Sequence, residues 1–107
     1  MDVIKVAGSS RTSSVAGAIA GVFREHNHAE VQAIGAGAVN QAVKALVLAS
    51  SYLDKDGLKV SFMPRFSDVD IDGKIRTAIK FYVVLYEGDA DVAPPTIHPF
   101  EVHESAD

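Results

Sequence analysis

The sequence contains no cysteine, which removes disulfides, thiolate catalysis and sulfur-ligated metals from the chemistry open to it. No stretch approaches the roughly 20 apolar residues that span a bilayer; the longest candidate, "FYVVLY" at residues 81–86, suits a strand. The opening "MDVIKVAGSS" lacks the basic start and long apolar core of a signal peptide. The expectation is a cytoplasmic protein that makes no membrane contact. Also missing is the strong basic excess that would by itself mark a nucleic-acid-binding chain, because the formal net charge is −4.

That negative sign belongs to one end of the chain. Residues 1–86 hold 10 Lys or Arg against 8 Asp or Glu, a balance of +2, whereas residues 87–107 hold 6 acids and no Lys or Arg. Three of the 4 prolines also follow Gly88. A chain of 107 residues suits one small domain with a two-layer core. The expected organisation is a domain over 1–87 and an acidic extension over 88–107, with Ile97 and Phe100 as its docking residues.

What is present is apolar patterning, since 48% of the residues are hydrophobic. "VIKVA" at 3–7 reads as a strand, and "GSSRTSS" supplies loop and N-cap residues before a helix over about 14–26. Val15, Ala18, Ile19, Val22 and Phe23 recur at helical spacing, and Gly17 and Gly21 on one side offer close approach to a neighbour. "EVQAI" at 30–34 makes a second strand. A second helix over about 38–53 carries Val39, Val43, Leu46, Val47 and Leu53 as its stripe, and "DKDG" ends it.

Two strands follow. In "LKVSFMPRF", Leu58, Val60, Phe62 and Phe66 share a parity, and Pro64 argues for an edge position because it has no N–H to donate. Val69 and Ile71 fall on the opposite parity, so a bulge near Ser67 or Asp68 is expected. "SDVDIDGK" reads as a short, acidic hairpin turn. In "IRTAIKFYVVLYE", Ile75, Ile79, Phe81, Val83 and Leu85 alternate with Arg76, Lys80, Tyr82 and Tyr86. A fully wet second face has no use for Val84 and two tyrosines, so Tyr82 and Val84 become candidates for a partner interface.

Enzymatic and metal motifs do not complete. Asp68, Asp70, Asp72 and Gly73 match the first half of a calcium loop, but the count puts Ile79 at the closing glutamate. His26 and His28 have no further ligands at zinc-site spacing, and the serines lack a nucleophile elbow. "GAGAVNQA" departs from the dinucleotide fingerprint because Asn40 stands at its last glycine. No cofactor and no catalysis are expected. Two stretches retain anion-binding chemistry: the Ser9, Ser10 and Arg11 loop, and the small-residue entry to the second helix at Gly35 and Gly37. Each has an equally physical alternative, a solvated capping loop and a tightly packed strand-to-helix turn.

Three ordered blocks carry a resemblance. "IKVAGSSRTSSVAGAIAGVFRE", "AEVQAIGAGAVNQAVKALVLA" and "FMPRFSDVDIDGKIRTAIKF", together covering roughly residues 3–86, closely resemble the stage V sporulation protein S family of spore-forming bacteria. That family resembles, more distantly, the Alba chromatin proteins. The resemblance implies a small two-layer α/β Alba-like domain of order β-α-β-α-β-β that pairs as a homo-oligomer. It also implies a non-catalytic regulator linked to sporulation or development that binds RNA or DNA weakly or conditionally. By carry-over, Ser9, Ser10, Arg11, Gly35, Gly37, Asn40 and Lys44 are the candidate nucleic-acid contacts. The alternative is a protein-interaction or structural module in a developmental pathway, using Tyr82 and Val84 and no nucleic acid.

The acidic extension generates one expectation of its own. If its charge competes with nucleic acid for the basic part of the chain, the 1–86 fragment binds a short labelled oligonucleotide more tightly at low salt than the full chain does. Equal affinities in a fluorescence anisotropy titration remove the idea.

Overall fold

The computed structural model describes residues 3–88, arranged as β1 (Ile4–Val6), α1 (Thr12–His26), β2 (His28–Ala33), α2 (Ala36–Lys55), β3 (Val60–Ile71) and β4 (Lys74–Leu85). The acidic extension, with Ile97, His98, Phe100 and His103, lies outside the described residues. The four strands form one mixed sheet in the order β1-β2-β4-β3. β1 and β2 run parallel through the α1 crossover, while β4 is antiparallel to both β2 and β3. The fold is therefore the expected two-layer α/β domain. Among the described residues no helix is long and apolar enough to cross a membrane.

Both helices lie on one face of the sheet. The alternate strand residues Val6, Ala29, Val31, Ala33, Phe81 and Val83 are buried in one cluster with Ile19, Phe23, Leu46 and Leu53 from the helices. Period-2 alternation in the strands and period-3.6 spacing in the helices both point their apolar sets into this single core. Many of the buried helix positions are small: Ala16 and Ala20 on α1, and Ala38, Ala42, Ala45 and Ala49 on α2, are all buried. Methyl-sized side chains let helix axes approach toward the short end of the roughly 8–10 Å packing range.

This contact corrects the expected stripe on α2. Leu46 and Leu53 are buried, but Val43 and Val47 are 43% and 62% exposed. The alanines at 38, 42, 45 and 49 occupy the face turned to α1 and the sheet, which rotates both valines toward solvent. Ala18 on α1 is likewise exposed, and Ala16 and Ala20 take the buried positions instead. α2 stops where "DKDG" stands: the N–H groups of Gly57 and Leu58 turn back to the carbonyls of Asp54 and Leu53, both at 3.0 Å. This pairing satisfies carbonyls that a helix end leaves open.

The β3–β4 hairpin also differs from expectation. It is long, with 12 residues in each strand. Its register runs without interruption from Val60↔Leu85 to Ile71↔Lys74, so there is no bulge at Ser67 or Asp68. Val69 and Ile71 simply face the other side of the sheet from Phe62 and Phe66. The turn is Asp72–Gly73, with φ of 50° and 82°, the pair of positive values that a two-residue type I′ hairpin requires. Asp70 Oδ1 accepts the Gly73 N–H at 2.9 Å, so the acid-rich motif serves turn chemistry.

β2 pairs with β4 only as far as Ala33↔Ile79, so residues 67–78 project as a two-stranded ribbon. There Ile75 is 64% exposed although its parity matches the core set, because the helices do not reach it. β3 is the outer edge strand, which agrees with Pro64.

Gly17 and Gly21 do not serve close packing. Both are exposed, and a Cβ built on either meets nothing within 4 Å. Each therefore carries the entropic penalty of a mid-helix glycine with no compensating contact. Gly17→Ala and Gly21→Ala are each expected to stabilise the domain by about 0.5–1 kcal/mol, read as a raised urea midpoint with unchanged slope.

Candidate functional site

Because β1 and β2 are parallel, α1 and α2 both start at the carboxyl edge of that strand pair. The two starts touch. A Cβ on Gly8 would stand 3.7 Å from the Gly37 carbonyl carbon, and one on Gly37 would stand 3.8 Å from Gly8 Cα. These are ordinary contact distances, so the glycines lie side by side without either being demanded by space. Gln41, one turn into α2, ties the loop down by donating from Nε2 to the Ser10 carbonyl at 2.7 Å and to Thr12 Oγ1 at 3.4 Å.

The first loop is itself ordered. The Ser10 N–H donates to the Ala7 carbonyl at 3.0 Å, and Ser10 Oγ accepts the Ala7 N–H at 2.8 Å. The serine hydroxyl thus closes the turn and does not cap the helix. Arg11 takes the N-cap position of α1 in extended conformation and makes no side-chain cap bond. Gly35 takes the same position on α2 and has no side chain with which to cap.

Two helix N-termini consequently meet at one edge, both without a side-chain cap and both without an acid in the first turn. The partial positive charge of each terminus, about half an elementary charge, is not offset by a neighbouring carboxylate from its own first turn. Unbonded N–H groups at such ends are the standard means of holding an anion. Arg11, Ser9, Gly35, Gly37, Asn40 and Lys44 are all exposed, and Ser10 is half-buried. Asn40 and Lys44 stand one turn apart on α2, on either side of Gln41 in sequence.

The tie from Gln41 to the Ser10 and Thr12 loop has no signal in the sequence. A glutamine among Ala and Val residues carries no motif, and its role exists only because α1 and α2 are neighbours. Tyr82 and Val84 lie elsewhere, on the sheet face without helices, where Tyr82 is half-buried and Val84 is 36% exposed. Residues 2–86 match a family model described as stage V sporulation protein S (SpoVS).

The geometry separates the two glycines at the start of α2. Gly35 has φ 92° and ψ 156°, a region nearly closed to residues with a Cβ. Gly35→Ala is expected to destabilise the domain by about 1–3 kcal/mol. Gly37→Ala, on a helical backbone with only ordinary contacts, is expected to be neutral or slightly stabilising. Urea denaturation of the two variants beside the parent checks the contrast.

Proposed function

Because the chain belongs to the stage V sporulation protein S family, which implies a sporulation-related role, we propose that it acts there as a non-catalytic nucleic-acid-binding regulator. The observation that carries the reading is the pair of uncapped helix N-termini meeting beside Arg11. A phosphodiester is an anion of suitable size for such an edge, and Arg11 adds a bidentate donor to it. Lys44 supplies a second cation, and Asn40 a side chain able to hydrogen-bond to phosphate or sugar. The element order is the one implied by the likeness to Alba chromatin domains, and that likeness supports the same reading.

Binding through this edge is weak for one copy. Affinity for nucleic acid scales with the number of phosphates neutralised, and the edge offers two side-chain cations. A homo-oligomer that presents two edges to one strand gains through effective concentration. Weak or conditional binding suits a regulator that must release its target.

The test is a salt series with short labelled RNA and DNA. Salt-sensitive binding is expected, with Arg11→Ala weakening it and lowering the slope of log affinity against log salt by about 1. Absence of salt-sensitive binding by both the full chain and the 1–86 fragment would overturn the reading.

A further inference from the structure

The uninterrupted hairpin register sorts charge by side. Residues of β3 with odd numbers pair with residues of β4 with even numbers, and cross-strand partners point the same way. Arg65, Lys74, Arg76 and Lys80 therefore share the side facing away from the helices, whereas Asp68 and Asp70 are on the opposite side. Lys5 of β1 joins the four cations on the helix-free face, and Glu30 of β2 is the acid there, 3.4 Å from Lys80 Nζ. Among the described residues, the strand positions of this side hold five cations and one acid in a chain of net charge −4, with Lys5 also lining a cavity that Asp70 and Asp72 share. Composition conceals this sorting because Asp68 and Asp70 of β3 lie close in sequence to the cations of β4 but at register positions of the other side.

An aromatic ring stands within this field. The Arg65 guanidinium carbon and Lys80 Nζ lie 6.0 Å and 5.9 Å from the Tyr82 ring centroid. Arg65 also reaches Met63 Sδ at 3.2 Å. Met63, Arg65 and Tyr82 line a shallow open cleft of about 400 Å³. A flat ring with an apolar thioether beside it and cations around it is the arrangement that stacks a base while holding its phosphates. Phosphate binding alone has no use for the ring, and a duplex keeps its base faces buried within its own stack.

We propose that the helix-free sheet face binds single-stranded nucleic acid, with one base stacked at Tyr82 and Met63, its flanking phosphates held by Arg65 and Lys80, and phosphates further along the strand held by Lys5 and Arg76. This takes its ligand class from the proposed function but not its site, which is separate from the Arg11 edge. The chain has no tryptophan and Tyr82 is one of three tyrosines, so the part of the ligand-induced quenching that disappears in Tyr82→Phe reports on this ring.

The experiment titrates the full chain with a labelled oligothymidylate and with the matching oligothymidylate–oligoadenylate duplex. Tighter binding of the single strand is expected, together with quenching of tyrosine emission. Tyr82→Ala is expected to lose about 5- to 150-fold in single-strand affinity, while Tyr82→Phe retains it and Arg65→Gln weakens it. Thermal melting of each variant confirms an intact fold, with Tyr82→Phe as the conservative control. Equal single-strand affinity for Tyr82→Ala and the parent overturns the proposal, as does equal affinity of the parent for single strand and duplex. Loss of concentration-dependent self-association in Tyr82→Ala, with no oligothymidylate binding by the parent, gives the face to a second copy and also overturns it. An effect of Arg11→Ala without any effect of Tyr82→Ala leaves the edge reading standing and removes this one; the reverse pattern does the opposite.

Discussion

The packing of α1 beside α2 over one shared core is the contact on which the rest of the molecule depends. Ala16 and Ala20 on α1 and the alanines at 38, 42, 45 and 49 on α2 are all buried in that core. Among the described residues, the two helices occupy one side of the four-stranded sheet and no helix or strand covers the other. Because both follow strands of one parallel pair, their N-termini also arrive at the same edge. One packing arrangement thus sets out both proposed surfaces: an edge with two helix N-termini that lack side-chain caps and a sheet face without helices among the described residues.

The two proposed surfaces carry their positive charge by different means. At the edge the charge is partial and belongs to the backbone, and its effect falls away within about one turn of the helix. Gln41 matters there because it fixes the first loop against α2 through the Ser10 carbonyl, so that the two N-termini keep their relation. On the sheet face the charge is whole and carried by side chains, and its arrangement follows from register. One inserted residue in β3 would move Asp68 and Asp70 onto the side of Arg76 and Lys80. The absence of a bulge is therefore an electrostatic property as well as a geometric one. The type I′ turn at Asp72–Gly73, supported by Asp70, secures that register from its tip.

Much of this was legible in the residues. The order of elements follows from the change between helical and strand periodicity, and Pro64 announced its own place on an edge strand. Arg11, Asn40 and Lys44 stood out as polar residues beside glycines. The roles of Gly35 and Gly37 were not separable by reading, since the two are alike in sequence and differ only in the φ of 92° that the chain adopts at Gly35. Gln41 stood beside Asn40 and Lys44 in the sequence, but its tie was not legible because its partners are 31 and 29 residues away along the chain.

The sequence by itself determined which residues can share a side, because the spacing of side chains along a helix or strand is a property of the local backbone. It determined equally that no thiol chemistry is open to the chain and that its negative charge collects in residues 87–107. Only the tertiary structure decided which side is covered. Val43 and Val47 fit an apolar stripe as well as Leu46 does, yet they face solvent, since burial depends on where the neighbouring helix sits. Ile75 has the parity of Phe81 and stays exposed because the helices end before it. Periodicity defines the sides of an element, and long-range packing selects among them.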